Sequence, residues 1–294
     1  MSAHPDPYFE PLRSRPWNAA LSRARKTCAH VPSMLHDEEQ ALVFWLAAEW
    51  ADGRGQSVDL GTFVGGAAAR MAAGHAEAGH PQGGEPDPVL VHAYDWFRAK
   101  PRIRNQWLAH AGQIEAEGDD ILPLAHRLTA PWEHRLTWYR GDVGRQRWAG
   151  GPIGILVQDA GRDARVADHV AAAFLPALQP GRGVVLIRDM MDPALPWLAA
   201  QFDLLRPWFT PIAQVGRASV LLGCTAAPDP GALAAIRTAQ MTDTALAAAA
   251  SRAAQALSPQ VPLSMHRAQM TWLLANPGTR KGWEMRPPLA ETAA

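Results

Sequence analysis

The chain has 294 residues, with 28 Lys+Arg against 28 Asp+Glu and so a formal net charge of zero at pH 7. That balance supplies no overall basic excess of the kind a nucleic-acid binder uses to neutralise phosphates, although a local basic patch stays open. Hydrophobic residues make up 48%, too many for a disordered chain, and at roughly 150 residues per domain the length allows one or two domains.

Residues 1–30 read as an extended lead-in. It holds His4, Pro5, Asp6 and Pro7, and then Pro11 and Pro16, which block early helix formation. Met1 to Leu12 lacks the apolar core of a signal peptide. No stretch reaches the ~18 apolar residues of a spanning helix, so no membrane partner is expected. Cys28 and Cys224 form neither a metal-ligand spacing nor a disulfide framework. A cytoplasmic location is the expectation.

Asp37 to Asp52 is helical, with Leu42, Trp45, Leu46 and Glu49 at i, i+3, i+4, i+7 and an acidic first turn. Gly53 and Gly55 end it. Ser57 to Leu60 is a strand, Ala67 to Ala78 a small-residue helix, and Gly79 to Pro88 a loop. Val89 to Tyr94 is a second strand closing on Asp95, and residues 97–130 are mainly helical. Arg135 to Tyr139, Ile153 to Val157 and Val184 to Ile187 are strands closing on Asp142, Asp159 and Asp189. Val166, Val170, Phe174 and Leu178 step by four as a helix face, and Pro193 to Arg206 is helical. Thr210 to Val215 and Ser219 to Cys224 flank Gly216-Arg217 as a hairpin. Residues 229–275 form an alanine-rich helical tail broken at Ser258-Pro259. Strands separated by helices predict a parallel α/β sheet, and continuous apolar strands predict burial on both faces. The parts are a lead-in (1–35), an α/β domain (36–225) and a helical extension (226–294).

Two features carry chemistry. Asp59-Leu60-Gly61-Thr62-Phe63-Val64-Gly65-Gly66 sits at a strand-to-helix turn, where glycines permit a tight turn and close ligand approach. Its Gly-x-x-x-Gly-Gly spacing is neither the dinucleotide Gly-x-Gly-x-x-Gly nor a phosphate-binding loop, so a nicotinamide oxidoreductase is disfavoured. Asp95 ends the second strand, where a carboxylate can grip a ribose diol with two acceptor oxygens. Acids at successive strand ends also suit ordinary loops. Arg23, Arg25 and Lys26 read as a solvated face. Trp45, Trp50, Trp96 and Trp107 read as core or pocket lining.

The ordered set resembles the class I S-adenosylmethionine-dependent methyltransferases over roughly residues 35–225, closest to the small-molecule O-methyltransferase-like group that includes macrolide-sugar methyltransferases. Val58 to Gly66 looks like that fold's first motif, Val91 to Asp95 like its second, and Gly141-Asp142 is similar to the adenine-proximal site. The resemblance implies a Rossmann-like, mostly parallel seven-stranded sheet with a terminal antiparallel hairpin and helical extensions. It implies S-adenosyl-L-methionine as cofactor, with Gly61 and Gly65 near its methionine part and Asp59 close by. Asp95 would hold the ribose, Asp142 would sit near the adenine, and Phe63, Tyr94 or Trp96 would line the pocket. In metal-assisted relatives the acids ending strands four and five bind Mg²⁺, here Asp159 and Asp189, which would then be catalytic. The pattern departs at Arg162, where those relatives often carry His, and at Met190, where they often carry a second ligand. The expected partner is a small-molecule acceptor methylated at oxygen, with no nucleic acid; a homo-oligomer stays open. The alternative is a catalytically silent S-adenosylmethionine-binding or partner-binding module of the same fold.

Overall fold

The computed structural model describes residues 7–85, 88–108 and 118–288. His4, Pro5 and Asp6 of the lead-in, and residues 109–117 of the expected helical stretch, lie outside the described residues. The rest of the lead-in is not extended. It folds as α1 (Glu10–Arg13), a 3₁₀ turn (Pro16–Ala20) and α2 (Leu21–Thr27). Its prolines open helices rather than block them: Pro11 and Pro16 occupy first-turn positions, where the missing N–H would have no intrahelical partner anyway. Phe9, Leu12 and Trp17 are fully buried by this arrangement.

The helices continue as α3 (Asp37–Trp45), which runs into a π-helical turn (Leu46–Trp50), α4 (Gly66–Glu77), α5 (Pro101–Leu108) and α6 (Leu122–Thr129). After these come α7 (Ala164–Ala173), α8 (Pro196–Leu205), α9 (Pro230–Ala234), α10 (Asp243–Leu257) and α11 (Leu263–Ala275). The strands are β1 (Gln56–Leu60), β2 (Val91–Asp95), β3 (Leu136–Arg140), β4 (Ile153–Gln158), β5 (Val184–Ile187), β6 (Phe209–Val215) and β7 (Ser219–Cys224). Every strand expected from the sequence is present. The α7 face outlasts its helix: Phe174 and Leu178 lie beyond Ala173 yet stay buried.

Seven strands form one sheet in the order β3-β2-β1-β4-β5-β7-β6. The first five are parallel, and β7 runs antiparallel to both β5 and β6. Alternate residues feed two cores. Val91, Ala93, Ile155, Val157, Val184 and Leu186 pack with α1 to α4 and α6. Val58, Leu60, Leu156, Val185 and Ile187 pack with α7 to α11. The alanine-rich extension therefore completes the α7–α8 side of the sheet, with α10 laid along α8. Edge strand β6 carries Pro211 and a register shift between Pro211 and Ala213, and the Pro211 carbonyl accepts a 3.3 Å bond from Arg13. Among the described residues, no helix is long and apolar enough to cross a membrane.

Candidate functional site

Chain order reverses beside β1: β2 lies on one side of it and β4 on the other. A crevice forms at such a switch point, beyond the carboxyl ends of the strands. The register fixes what faces it. Leu60 aligns with Tyr94 and Gln158, and Gln158 with Ile187. One step further along the chain stand Asp95, which ends β2, and Gly61, Asp159 and Arg188, which directly follow β1, β4 and β5.

Asp59 lies within β1 and is 1% exposed. Its Oδ2 accepts from Thr62 Oγ1 at 2.6 Å and from the Ala68 backbone N–H at 3.0 Å, so it clamps the turn to the first turn of α4. Burial pushes its pKa up to about 7, against the pull of the Thr62 bond. Gly61 and Gly65 both have positive φ. A Cβ on Gly61 would sit 2.9 Å from the Asp159 carbonyl oxygen, so the β1 turn and the β4 turn touch through backbone. A Cβ on Gly65 would meet Thr129 and Trp138 instead. Glycine is required there by packing as well as by its positive φ.

Asp95 organises two strained residues. Its Oδ2 accepts from Phe63 N at 2.9 Å and its Oδ1 from Phe97 N at 2.7 Å. Phe63 and Phe97 have φ of 54° and 52°, a left-handed conformation that bulky residues rarely adopt. The carboxylate holds both. Burial raises its pKa, and the backbone bonds oppose that shift. The Trp96 backbone N–H also donates to this carboxylate. Trp96, next in the chain, is 57% exposed.

A cleft at this switch point is lined by Ser33, Met34, Asp59, Gly61, Thr62, Phe63, Gly66, Asp159 and Arg188, among others. The structure thus gathers Asp59, Gly61, Phe63 and Asp159, with Asp95 tied to them through Phe63. Gly65 and Trp96 lie outside the lining. So does Asp142, which follows β3, accepts from Gly144 N at 2.9 Å and stands 3.7 Å from Arg145. Asp189 has φ of 54° and bonds Arg162 at 2.7 Å.

Arg188 is the residue that strand-end acids hide from a reader of the sequence, because Asp189 follows it directly. It is 8% exposed. Nη1 is paired with Asp159, and Nη2 reaches the Met34 carbonyl at 3.1 Å and Glu39 at 3.4 Å. Its Nε finds no partner among the described residues. Burial raises the Asp159 pKa to about 6, with Arg188 pulling the other way. Glu39, fully buried, accepts from His36 N at 2.7 Å as part of the α3 capping box and from Ser219 Oγ at 2.5 Å. The Ser33–Met34 wall was also unforeseen; the only hint of it is the helix-start signature just after it. A Cβ on Gly66 would sit 2.8 Å from Ser33 Oγ, so that wall rests on the start of α4.

The residues at the expected metal position do not suit Mg²⁺. Mg²⁺ demands near-octahedral oxygen ligation, whereas Asp159 and Asp189 each face a guanidinium. No group of three or more candidate ligands is found among the described residues. The other sequence features resolve into the scaffold. Arg23 pairs with Glu49 and Glu77, and Arg25 with Asp37. Trp45 is buried and bonded to Glu49, and Trp50 bonds the Arg182 carbonyl.

No protein-family model matches the chain, and no curated protein matches it. Among solved structures it is similar to the O-methyltransferase NovP, at 13% identity and a TM-score of 0.53 over 71% of this chain and 100% of that one. It also aligns with O-methyltransferase TomG from Streptomyces achromogenes, at 16% identity and a TM-score of 0.42 over 70% and 90% of the two chains. The calicheamicin methyltransferase CalS11 aligns at 15% identity and a TM-score of 0.43 over 70% and 91%. At such identities the likeness is one of fold. The chain has the Rossmann-like, seven-stranded fold that the resemblance implied.

Proposed function

We propose that this chain is an S-adenosylmethionine-dependent methyltransferase acting on a small-molecule acceptor at oxygen, in the cytoplasm and without a nucleic-acid partner. The carrying observation is Asp95, a half-buried carboxylate at the end of β2 that is tied through the Phe63 backbone to the turn after β1.

The resemblance assigns the cofactor's parts: Asp95 to the ribose diol, Phe63 and Trp96 to aromatic contacts, and Asp142 to the adenine, although only Phe63 of these lines the cleft. The uncommitted Nε–H of Arg188 suits the carboxylate of the methionine part. Buried carboxylates nearby favour a cationic ligand. When bound, the cofactor supplies a sulfonium-linked methyl carbon open to in-line displacement. The chain's share is positioning of the two reactants, with Asp159, at about 6, as the carboxylate suited to take the acceptor's proton near neutral pH.

A second reading, a silent cofactor-binding module, draws on one observation: both strand-end acids are engaged by arginines. Calorimetric titration with S-adenosylmethionine and S-adenosylhomocysteine tests the shared premise. Micromolar binding is expected, weakened by ~1–3 kcal/mol in Asp95→Ala, the scale of hydrogen bonds to a charged group. Thermal unfolding of the variant must be run beside it, because Asp95 also holds Phe63 and Phe97. A well-folded native chain that binds neither compound overturns both readings. Binding without transfer across an acceptor screen leaves the silent module.

A further inference from the structure

We infer that Arg188 and Arg162 fill the electrostatic role of a divalent cation between the carboxylates that follow β4 and β5, so that this centre is built to work without a metal. The inference concerns the same cleft as the proposed function, but it rests on side-chain pairing and stands whether or not methyl transfer occurs.

Three acids share one hydrogen-bonded network here: Asp159 and Asp189, which follow β4 and β5, and Glu39 on α3. Each is engaged. Arg188 joins Asp159 to Glu39 and, through the Met34 carbonyl, ties both to the segment before α3. Arg162 holds Asp189 at 2.7 Å. The Asp189 backbone N–H donates to Ser219 Oγ at 3.1 Å, and that hydroxyl donates to Glu39. Carboxylates, two guanidiniums and a hydroxyl thus form one connected network. A hard cation entering it would have to displace Arg188, which is 8% exposed and joined to three groups. It would also meet Arg162 at close range.

The placement of Arg162 strengthens the case. The loop that carries it is anchored from the far end of the chain. Gly282 N donates to the Arg162 carbonyl at 2.8 Å, and Ala164 N to the Arg280 carbonyl at 2.9 Å. On the other side, Gln269 Nε2 from α11 donates to the Met190 and Asp192 carbonyls after β5. The helical extension therefore braces both loops that bring Arg162 and Asp189 together. Arg188 and Arg162 are positioning residues in this scheme. They keep the acids ionised and spaced, and two positive charges against three negative ones leave an excess suited to a cationic ligand.

The test is Mn²⁺ binding followed by electron paramagnetic resonance on the full chain. The native protein should bind no stoichiometric Mn²⁺ at millimolar concentration, and its thermal midpoint should be the same with Mg²⁺ as with EDTA. One equivalent of tightly bound Mn²⁺ that Asp159→Asn removes would overturn the inference. The double variant Arg162→Met/Arg188→Met should gain a Mn²⁺ site at least tenfold tighter than the native chain, lost again on adding Asp159→Asn. A folded double variant with no such gain would also overturn it. Should the double variant not fold, Arg162→Met alone carries the test, since Arg162 is 54% exposed. Freed Asp189 should then raise Mn²⁺ affinity measurably, and unchanged affinity counts against the inference.

Discussion

At the scale of single residues, the decisive groups are acids taken out of water. Burial pushes the Asp59 carboxyl up from the ordinary 3.8 to about 7. A raised carboxyl pKa means that the folded state binds the extra proton between those values. Stability from this group is therefore full below about pH 4 and is lost as pH rises towards 7. Buried His75, lowered to about 3 by burial, acts in the opposite sense, because its unfolded form takes up a proton below about pH 6.5. The absolute curve mixes the two. The difference in unfolding free energy between the native chain and Asp59→Asn isolates the first. It should fall with pH across that window by up to about 1.4 kcal/mol per unit, read from urea midpoints at a series of pH values. A flat difference would mean that Asp59 is ionised throughout. None of this was readable from the sequence, where Asp59 is one acid among several; its burial comes from the register of β1 against β2 and β4.

Between elements, close approach governs. Gly74 lies in the interior of α4, where alanine should stabilise a helix by about 1 kcal/mol. Here a Cβ would stand 2.5 Å from the Phe44 carbonyl oxygen and 2.8 Å from Ala47 Cβ. The neighbour is backbone and cannot swing aside. Gly74→Ala should therefore destabilise, by about 1–3 kcal/mol, and a rise in the urea midpoint would show that α3 and α4 can part to admit the methyl group. Element types and strand ends were largely legible because apolar runs such as Val184 to Ile187 and the Gly216-Arg217 hairpin are local signals. The lead-in was not legible, because a proline reads the same whether it opens a helix or forbids one. Phe63 and Phe97 hid their left-handed backbones for a similar reason: the carboxylate that holds them is distant in sequence from Phe63. Arg188 was missed because its partners Asp159 and Glu39 come from β4 and α3, a juxtaposition only the folded sheet creates.

For the whole molecule, the two ends of the chain clothe opposite faces of one sheet. The link between extension and sheet layer runs through Asp168 on α7, which is 7% exposed. Oδ1 accepts from Thr238 N, Thr238 Oγ1 and Gln201 Nε2, and Oδ2 accepts from Ala239 N. Asp168→Ala would leave buried donors unpaired and should lower stability by about 2–4 kcal/mol. Limited proteolysis should then cut first near residues 238–240. Unchanged stability with the same cleavage pattern would mean that the extension is held by its apolar contacts alone. The β6 edge has a different consequence. A strand at the border of a sheet is a template on which another chain can pair, growing one sheet into many. At this border Pro211 lacks a donor, the shifted register breaks the spacing that a visiting strand would need, and Arg13 already occupies the Pro211 carbonyl. That edge is therefore a poor template for intermolecular sheet growth.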